Sequence, residues 1–217
     1  SADKVRAAIA AKRPVPVKSN ENSAGGTVNL SVVDSRGAMA AMTLTHGEAF
    51  GARVTIPGLG ILLGHGVSRF EAVPGRRNSI APGKRPLDNM CPSIVLKGKR
   101  PILAIGGVGS RRIPNAVFEV LLKLVADGSS LEAAATEPRI HTEGGLELYV
   151  EPGRPAAELD YLKQVGYKIK LPKPSFLSAV QIDPSDPTRP AVGFCDYASE
   201  HTNPPGNRNP HVAMYSG

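Results

Sequence analysis

Two stretches of alternating hydrophobic and polar residues, 27–34 and 38–45, lie close together in the sequence. The segment between them, Ser35-Arg36-Gly37, contains residues that favour a tight turn. Alternation of this kind with a short polar connection is typical of a β-hairpin. Apolar residues occur on both faces of the two strands, which predicts that the hairpin is covered on both sides.

The spacing of apolar residues after position 112 predicts an amphipathic helix. Its stripe contains Ile113, Ala116, Val117, Val120, Leu121, Leu124 and Val125. Pro114 suits the first helical turn, and Gly128 lies beyond the predicted end. Residues 129–132 form the capping-box pattern of a second helix, which is expected to end before Pro138.

Further apolar runs predict strands on either side of these helices. A second hairpin is expected within residues 92–105, followed by a glycine-rich turn at 106–110. Later expected elements are a strand at 146–150, a helix near 156–165, and strands at 167–171, 177–182 and 191–197. Strands, then two helices, then strands predict an α+β fold in which layered sheets carry helices on their outer faces.

Composition excludes several classes of protein. A chain of 217 residues with 41% hydrophobic content can bury its core as one domain. The net charge of +7 would suit an acidic partner, but the basic residues are scattered or lie in short turns, so nucleic-acid binding is not favoured. The two cysteines and five histidines form no ligand motif, so no metal or cofactor is predicted. No apolar run reaches the roughly 20 residues of a membrane-spanning helix, and no membrane segment is predicted.

Thr27 follows two glycines at the start of the first predicted strand. If the bond between Gly26 and Thr27 were cut, the new α-amino group, with a pKa of about 7.7–8.0, could take the hydroxyl proton. One residue would then supply nucleophile and base. The cut would follow attack of the Thr27 hydroxyl on the Gly26 carbonyl, because glycines permit the backbone angles of such an N-to-O acyl shift. The alternative is an uncut chain in which the glycines only form a turn.

Five ordered motifs resemble the small-subunit half of the gamma-glutamyltranspeptidase family. They are TVNLSVVD at 27–34, GILL at 60–63, APGKRPL at 81–87, MCPSIV at 90–95 and EPRIH at 137–141. An ordered set is more specific than any single motif. The resemblance extends over about residues 15–197. It implies the N-terminal-nucleophile hydrolase fold, a four-layer αββα sandwich, made as a precursor that cuts itself before a threonine.

The resemblance also implies roles for particular residues. Thr27 matches the nucleophile, with cleavage between Gly26 and Thr27, and Thr45 matches the threonine that orients it. Gly109 and Ser110 match two residues whose backbone N–H groups form an oxyanion hole, and a serine keeps the N–H as well as a glycine does.

Residues 1–26 resemble the end of a large subunit, and residues 27–217 resemble the catalytic small-subunit domain. The helical spacing within residues 2–12 and the polar linker that follows agree with such a tail. The family's carboxylate-binding arginine belongs to the large subunit, so a large-subunit partner in a heterodimer is implied. Periplasmic or extracellular location is common in the family, and this sequence leaves the location open.

Four positions depart from the family's substrate-binding pattern. Arg69 replaces an acidic residue that binds the α-amino group of γ-glutamyl substrates, and Gly47 replaces an asparagine. Asp88 and Asn89 replace two serines that hold the α-carboxylate. Arg69 would repel an ammonium group and Asp88 would repel a carboxylate. The substrate is therefore expected to be a small-molecule or peptide amide other than an ordinary γ-glutamyl amide.

Three classes of function remain open at this point. The first is an autoprocessed amidohydrolase or acyltransferase in which Thr27 forms an acyl-enzyme. The second is a catalytically inactive binding or partner subunit derived from the family, which the changed substrate positions favour. The third is a basic nucleic-acid-binding protein, which would show steep salt dependence. Cleavage at Gly26-Thr27 would separate the first class from the second.

Overall fold

The computed structural model describes residues 26–48, 50–171 and 175–182, together with the backbone of residues 192–195. The helix predicted within residues 2–12 and the linker after it lie outside these residues. The described elements are β1 (Thr27–Val33), β2 (Met39–Thr45), β3 (Ser93–Lys97), β4 (Arg100–Val108), α1 (Ile113–Leu122), α2 (Leu131–Thr136), β5 (Ile140–Thr142), β6 (Glu147–Val150), α3 (Ala156–Gln164), β7 (Lys168–Lys170), β8 (Phe176–Gln181) and β9 (Val192–Cys195).

The predicted first hairpin is confirmed. β1 and β2 pair antiparallel in a register that sets Thr27 opposite Thr45. Their turn is closed by the Asp34 carboxylate, which accepts hydrogen bonds from the backbone N–H groups of Arg36 and Ala38 at 2.9 and 2.8 Å. The bond from Ala38 is the largest cause that lowers the pKa of Asp34. An acceptor that is already charged suits this turn, because ionised carboxylates make the stronger hydrogen bonds.

The central sheet has the strand order β3-β4-β8-β9, and every neighbouring pair is antiparallel. The β1–β2 hairpin packs on one face of this sheet, against β4 and β8, while α1 and α2 pack on the other. Because side chains alternate along a strand, β4 contacts the helices with one face and the hairpin with the other. Leu103 and Ile105 join the core beneath the helices, and Gly106 faces the hairpin.

One face of the hairpin is exposed in the described part of the chain. Its outer side chains are between 43% and 56% exposed, namely Val28, Leu30, Val32, Met42 and Leu44. The prediction of cover on both sides is therefore met only on the inner face. The described layers are the hairpin, the central sheet and the helices. A separate three-stranded sheet has the order β5-β6-β7 and pairs β6 with β7 in parallel.

The first predicted helix is confirmed, except at its end. Ile113, Ala116, Val117 and Val120 are buried as the apolar stripe requires. Val125, which the stripe also included, is 76% exposed. The reason is that the chain continues after α1 as a π-helical turn, Lys123–Asp127, whose wider winding moves later side chains off the helical stripe.

The second helix begins one residue later than the capping-box pattern predicted. Ser130, and not Ser129, is the N-cap, and its side chain accepts a hydrogen bond from the backbone N–H of Ala133. Glu132 therefore does not occupy the third helical position that a capping box requires. Two adjacent serines make this one-residue ambiguity impossible to resolve from local pattern alone.

No described helix is both long enough and apolar enough to cross a lipid bilayer. Within the same residues, no three side chains of the metal-ligating types lie close enough together to hold a metal ion.

Candidate active site

Thr27 and Thr45 are joined side chain to side chain. The Thr27 hydroxyl donates a hydrogen bond to Oγ1 of Thr45 over 2.8 Å, because the hairpin register places the two residues opposite each other. Oγ1 of Thr45 also accepts a hydrogen bond from the backbone N–H of Gly47 at 2.9 Å. The Thr45 oxygen therefore accepts two hydrogen bonds, one from the Thr27 hydroxyl and one from the Gly47 N–H.

The Gly26 carbonyl lies within the same hydrogen-bonded ladder. The backbone N–H of His46 donates to the Gly26 oxygen over 2.9 Å, and the N–H of His65 donates to the His46 carbonyl over 2.8 Å. A donor on a carbonyl oxygen polarises the carbonyl and stabilises negative charge that develops there. This donor acts on the bond that cleavage before Thr27 would break.

Contacts along β1 show which face of the hairpin packs on the central sheet. Asn29 shares the strand face of Thr27, and its side chain reaches the Ser178 carbonyl on β8 and the backbone of Gly106 on β4. Gly106 and Ser178 are themselves paired between β4 and β8. The face that carries the Thr27 side chain is therefore the face packed on the central sheet.

The far end of the hairpin gives the direction. A side chain at Gly37, in the hairpin turn, would contact Ile182, whose N–H donates to Ile102 near the start of β4. β1 thus runs alongside β4 in roughly the opposite direction. Thr27 consequently lies at the end where β4 leads into Gly109, so the structure brings the threonine pair and the glycine-rich turn to one end of the fold.

Gly109 connects β4 to the 3-10 turn Ser110–Arg112, which precedes α1. The φ angles of Gly109 and Ser110 are 139° and 58°, and Ser110 is one of two described non-glycine residues with positive φ, the other being Arg53. Neither N–H group donates to an acceptor within the described residues. Unpaired N–H groups at the start of a helical segment suit an anionic oxygen.

The predicted substrate residues Arg69, Asp88 and Asn89 contact one another. Nη1 of Arg69 donates to Oδ1 of Asn89 at 2.5 Å and lies 3.6 Å from Oδ1 of Asp88. The same Asp88 oxygen accepts hydrogen bonds from the backbone N–H groups of Asn89 and Met90. Two positions with unexpected charge thus compensate each other, which neither position indicates by itself.

Gly47, the fourth departure, has a φ of 80°, a region that favours glycine. A side chain there would first contact Cβ of His65, at 3.5 Å. His65 immediately precedes the 3-10 turn Gly66–Arg69. Gly47 therefore lies next to the segment that carries Arg69. The glycine leaves the space beside His65 free of a side chain.

A buried ionic cluster lies behind α1, and the sequence patterns did not predict it. Arg139 and His141 belong to the EPRIH motif and are buried, with Nε of Arg139 3.6 Å from Oε2 of Glu151. Burial is the main cause that lowers the pKa of His141, although Glu143 opposes it. Burial also raises the pKa of Glu119, despite a hydrogen bond from the N–H of Ile140 in β5. The available signal was Glu119, a charged side chain inside the apolar run of α1.

Comparisons with known proteins agree with the motifs. The family model described as Gamma-glutamyltranspeptidase matches residues 1–204. The chain is 34% identical over 144 residues to the Glutathione hydrolase proenzyme of Bacillus subtilis (strain 168), covering 66% of this chain and 24% of that protein. It is 36% identical over 143 residues to the Acylase ACY 1 proenzyme of Pseudomonas sp. (strain SE83), covering 66% of this chain and 25% of that protein.

The fold is also shared. The solved structure of gamma-glutamyltranspeptidase from Pseudomonas nitroreducens complexed with L-DON superposes with a TM-score of 0.68 at 26% identity, covering 81% of this chain and 97% of that chain. The chain spans about a quarter of the length of the curated relatives. It has the mixed helix-and-sheet fold of N-terminal-nucleophile hydrolases and belongs to the gamma-glutamyltranspeptidase family.

Proposed function

We propose that this chain carries the nucleophile of an autoprocessed amidohydrolase or acyltransferase, cut between Gly26 and Thr27. The observation that carries the proposal is the hydrogen bond from the Thr27 hydroxyl to Thr45, beside a Gly26 carbonyl that accepts from the His46 N–H. In this proposal residues 1–26 are the tail that cleavage releases or repositions. Residues 27–217 are the catalytic domain.

Self-cleavage would begin with attack of Oγ1 of Thr27 on the Gly26 carbonyl carbon. Negative charge on the carbonyl oxygen would be stabilised by the His46 N–H, which already donates to it. The carbon–nitrogen bond then breaks, the Thr27 nitrogen takes the proton lost by the hydroxyl, and an ester joins the two parts. Water hydrolyses the ester, leaving a carboxylate on Gly26 and a free amine on Thr27.

Acyl transfer would reuse the same hydroxyl. The Thr27 α-amino group takes its proton while Oγ1 attacks the carbonyl of an amide substrate. The N–H groups of Gly109 and Ser110 would hold the resulting oxyanion, where one donor is worth about 10²–10³ in rate. The departing amine receives the proton, and water or a second amine then releases the acyl group from Thr27.

The substrate is proposed to be a small-molecule or peptide amide whose acyl group lacks the charge pattern of γ-glutamyl. The support is that Arg69 and Asp88 lie 3.6 Å apart and compensate each other. The α-ammonium and α-carboxylate of a γ-glutamyl group would have to separate Arg69 from Asp88, and the ammonium would then face the positive charge of Arg69. Acyl groups without an α-ammonium group avoid both costs.

A large-subunit partner is proposed to complete the domain. The exposed apolar face of the hairpin supports this, because five outer side chains there are about half exposed. Helices packed on that face would add the fourth layer of an αββα sandwich. The curated relatives have about three quarters of their length outside the matched region, which is enough chain to supply them.

Intact-mass spectrometry of the full-length protein tests the proposal. Two fragments that separate between Gly26 and Thr27 are expected, and Thr27→Ala should leave one uncut species. Ser35→Ala removes an exposed hydroxyl of the hairpin turn and should be cut like the unmodified protein. A chain that stays intact under all conditions would support the second candidate, an inactive family-derived binding subunit, which the Arg69–Asp88 contact also favours.

A further inference from the structure

Asn29 is the one buried residue of β1, at 8% exposure. Its Oδ1 accepts a hydrogen bond from Oγ1 of Thr43 at 2.7 Å. Its Nδ2 donates to Oγ of Ser31 at 3.2 Å and to the Ser178 carbonyl at 3.4 Å. One carboxamide therefore bonds both strands of the hairpin and a strand of the central sheet.

The same carboxamide lies directly against the backbone of β4 at Gly106. A Cβ atom at Gly106 would fall 2.1 Å from Oδ1 and 2.7 Å from Cγ of Asn29. The φ angle of Gly106 is not positive, so the backbone conformation does not require glycine. The glycine is required for space, because it lets the Asn29 amide occupy the position of a side chain on β4, three residues before Gly109.

We propose that Asn29 is a positioning residue that sets the separation between the strand carrying Thr27 and the strand ending at Gly109. The inference rests on the proposed function. Asn29 is two residues from the proposed nucleophile on the same strand face, and its contact on β4, Gly106, is three residues before Gly109. The proposed acyl transfer needs Thr27 and the Gly109 N–H in fixed geometry, since a displacement of about 1 Å can cost about 10²-fold in rate.

Ser31 provides a matched control within the same strand. Its hydroxyl donates to the Ser178 carbonyl at 2.9 Å, so Ser31→Ala also removes a bond between the hairpin and the central sheet. It also removes one acceptor of Nδ2 of Asn29, the Ser31 hydroxyl at 3.2 Å, but leaves the shorter bond from Thr43 to Oδ1 and the contact between Asn29 and Gly106 in place. A defect caused only by weaker sheet packing should therefore appear in both variants.

The experiment measures the Thr27-dependent release of p-nitrophenol from p-nitrophenyl acetate by the cut full-length protein, with the thermal unfolding midpoint of each variant. This acyl transfer uses the N–H groups of Gly109 and Ser110, whereas self-cleavage uses the N–H of His46.

Asn29→Ala is expected to slow the release about 10²-fold, and Ser31→Ala less than about threefold, at similar unfolding midpoints. Thr43→Val keeps Asn29 and the side-chain shape but removes the bond to Oδ1. It is expected to slow the release about tenfold, and it keeps the test decisive if Asn29→Ala does not fold.

Release of p-nitrophenol by Asn29→Ala within about twofold of the unmodified rate would overturn the inference while leaving the proposed function intact. Equal slowing of Asn29→Ala and Ser31→Ala, in proportion to lost stability, would overturn it as well. If Asn29→Ala does not fold, a normal rate of release by Thr43→Val has the same meaning. An unmodified protein that is never cut would instead overturn the proposed function, and the inference with it.

Discussion

The hydroxyl groups of Thr27 and Thr45 lie 2.8 Å apart across the first hairpin, with Thr27 as the donor. The contact follows from antiparallel pairing, which sets these residues opposite each other at the open end of the hairpin. Thr45 in turn receives the N–H of Gly47, so its oxygen is held in place by the chain that follows it.

Replacement of Thr45 should affect self-cleavage according to whether the acceptor oxygen is kept. Thr45→Val preserves the side-chain shape and removes the oxygen, so cleavage at Gly26-Thr27 should slow by about tenfold or more. Thr45→Ser keeps the oxygen and should remain within about threefold of the unmodified protein. A time course of the two fragments on a denaturing gel measures both rates. Equal rates for the valine and serine variants would contradict an orienting role for this hydroxyl.

Replacement of Arg69 and Asp88 should change which acyl groups the protein accepts. Arg69→Glu alone places two carboxylates together and should lower the free energy of unfolding by about 0.5–1 kcal/mol, since the pair is partly exposed. The double variant Arg69→Glu/Asp88→Ser removes that repulsion and offers a carboxylate to an α-ammonium group. It should hydrolyse a chromogenic γ-glutamyl anilide at least about tenfold faster than the unmodified protein.

Arg76→Gln is a suitable control for that experiment, because Arg76 pairs with Glu71 at 4.0 Å on an exposed surface. It should change neither hydrolysis nor stability beyond about 0.5 kcal/mol. Faster hydrolysis by the unmodified protein than by the double variant would show that the Arg69–Asp88 pair does not discriminate against γ-glutamyl groups.

Ser110→Gly should stabilise the protein. Ser110 has a φ of 58°, which costs an ordinary residue about 1–2 kcal/mol, whereas glycine adopts it freely. After the larger chain entropy of glycine in the unfolded state is subtracted, a gain of about 0.5–1 kcal/mol is expected from urea unfolding. The N–H group remains, so cleavage should be unaffected.

Ser129→Gly is the matched comparison, because Ser129 is not among the described residues with positive φ. The same substitution there should lower stability by about 0.5–1 kcal/mol. A loss of stability at both positions would show that the turn at Ser110 carries no relievable strain.

Stability should fall in mild acid because of His141. Its folded-state pKa is lowered chiefly by burial and further by the charge of Arg112, so the unfolded chain binds a proton that the folded protein does not. The contribution is fully present above the unfolded pKa of about 6.5 and is lost progressively as the pH falls below it. The free energy of unfolding should therefore decrease by up to about 1.4 kcal/mol per pH unit on this acid side.

Urea unfolding between about pH 5 and pH 7.5 measures this slope. His141→Gln removes the titrating group and should flatten the profile. Glu119 acts in the opposite sense, because its raised pKa gives stability that is present in acid and lost as the pH rises through the folded-state value. An unchanged slope in His141→Gln would mean that other groups cause the acid loss.

Periodicity within short windows determined much of this protein from sequence. Alternation about the turn at Ser35-Arg36-Gly37 predicted the hairpin, and that register suffices to place Thr27 opposite Thr45. Apolar spacing predicted α1, and Gly128 ends the π-helical turn after it with a left-handed backbone. These features depend on interactions among residues a few positions apart, which the sequence displays directly.

Tertiary structure decided what depends on distant segments. The burial of Asn29 and the absence of a side chain at Gly106 make sense only once two sheets are stacked. Arg69 and Asp88 are brought together by irregular segments that no period describes. Val125 is exposed because a single π-helical turn changes the winding. In each case the outcome follows from packing, which sums many weak contacts between segments far apart in the chain, and no local pattern records that sum.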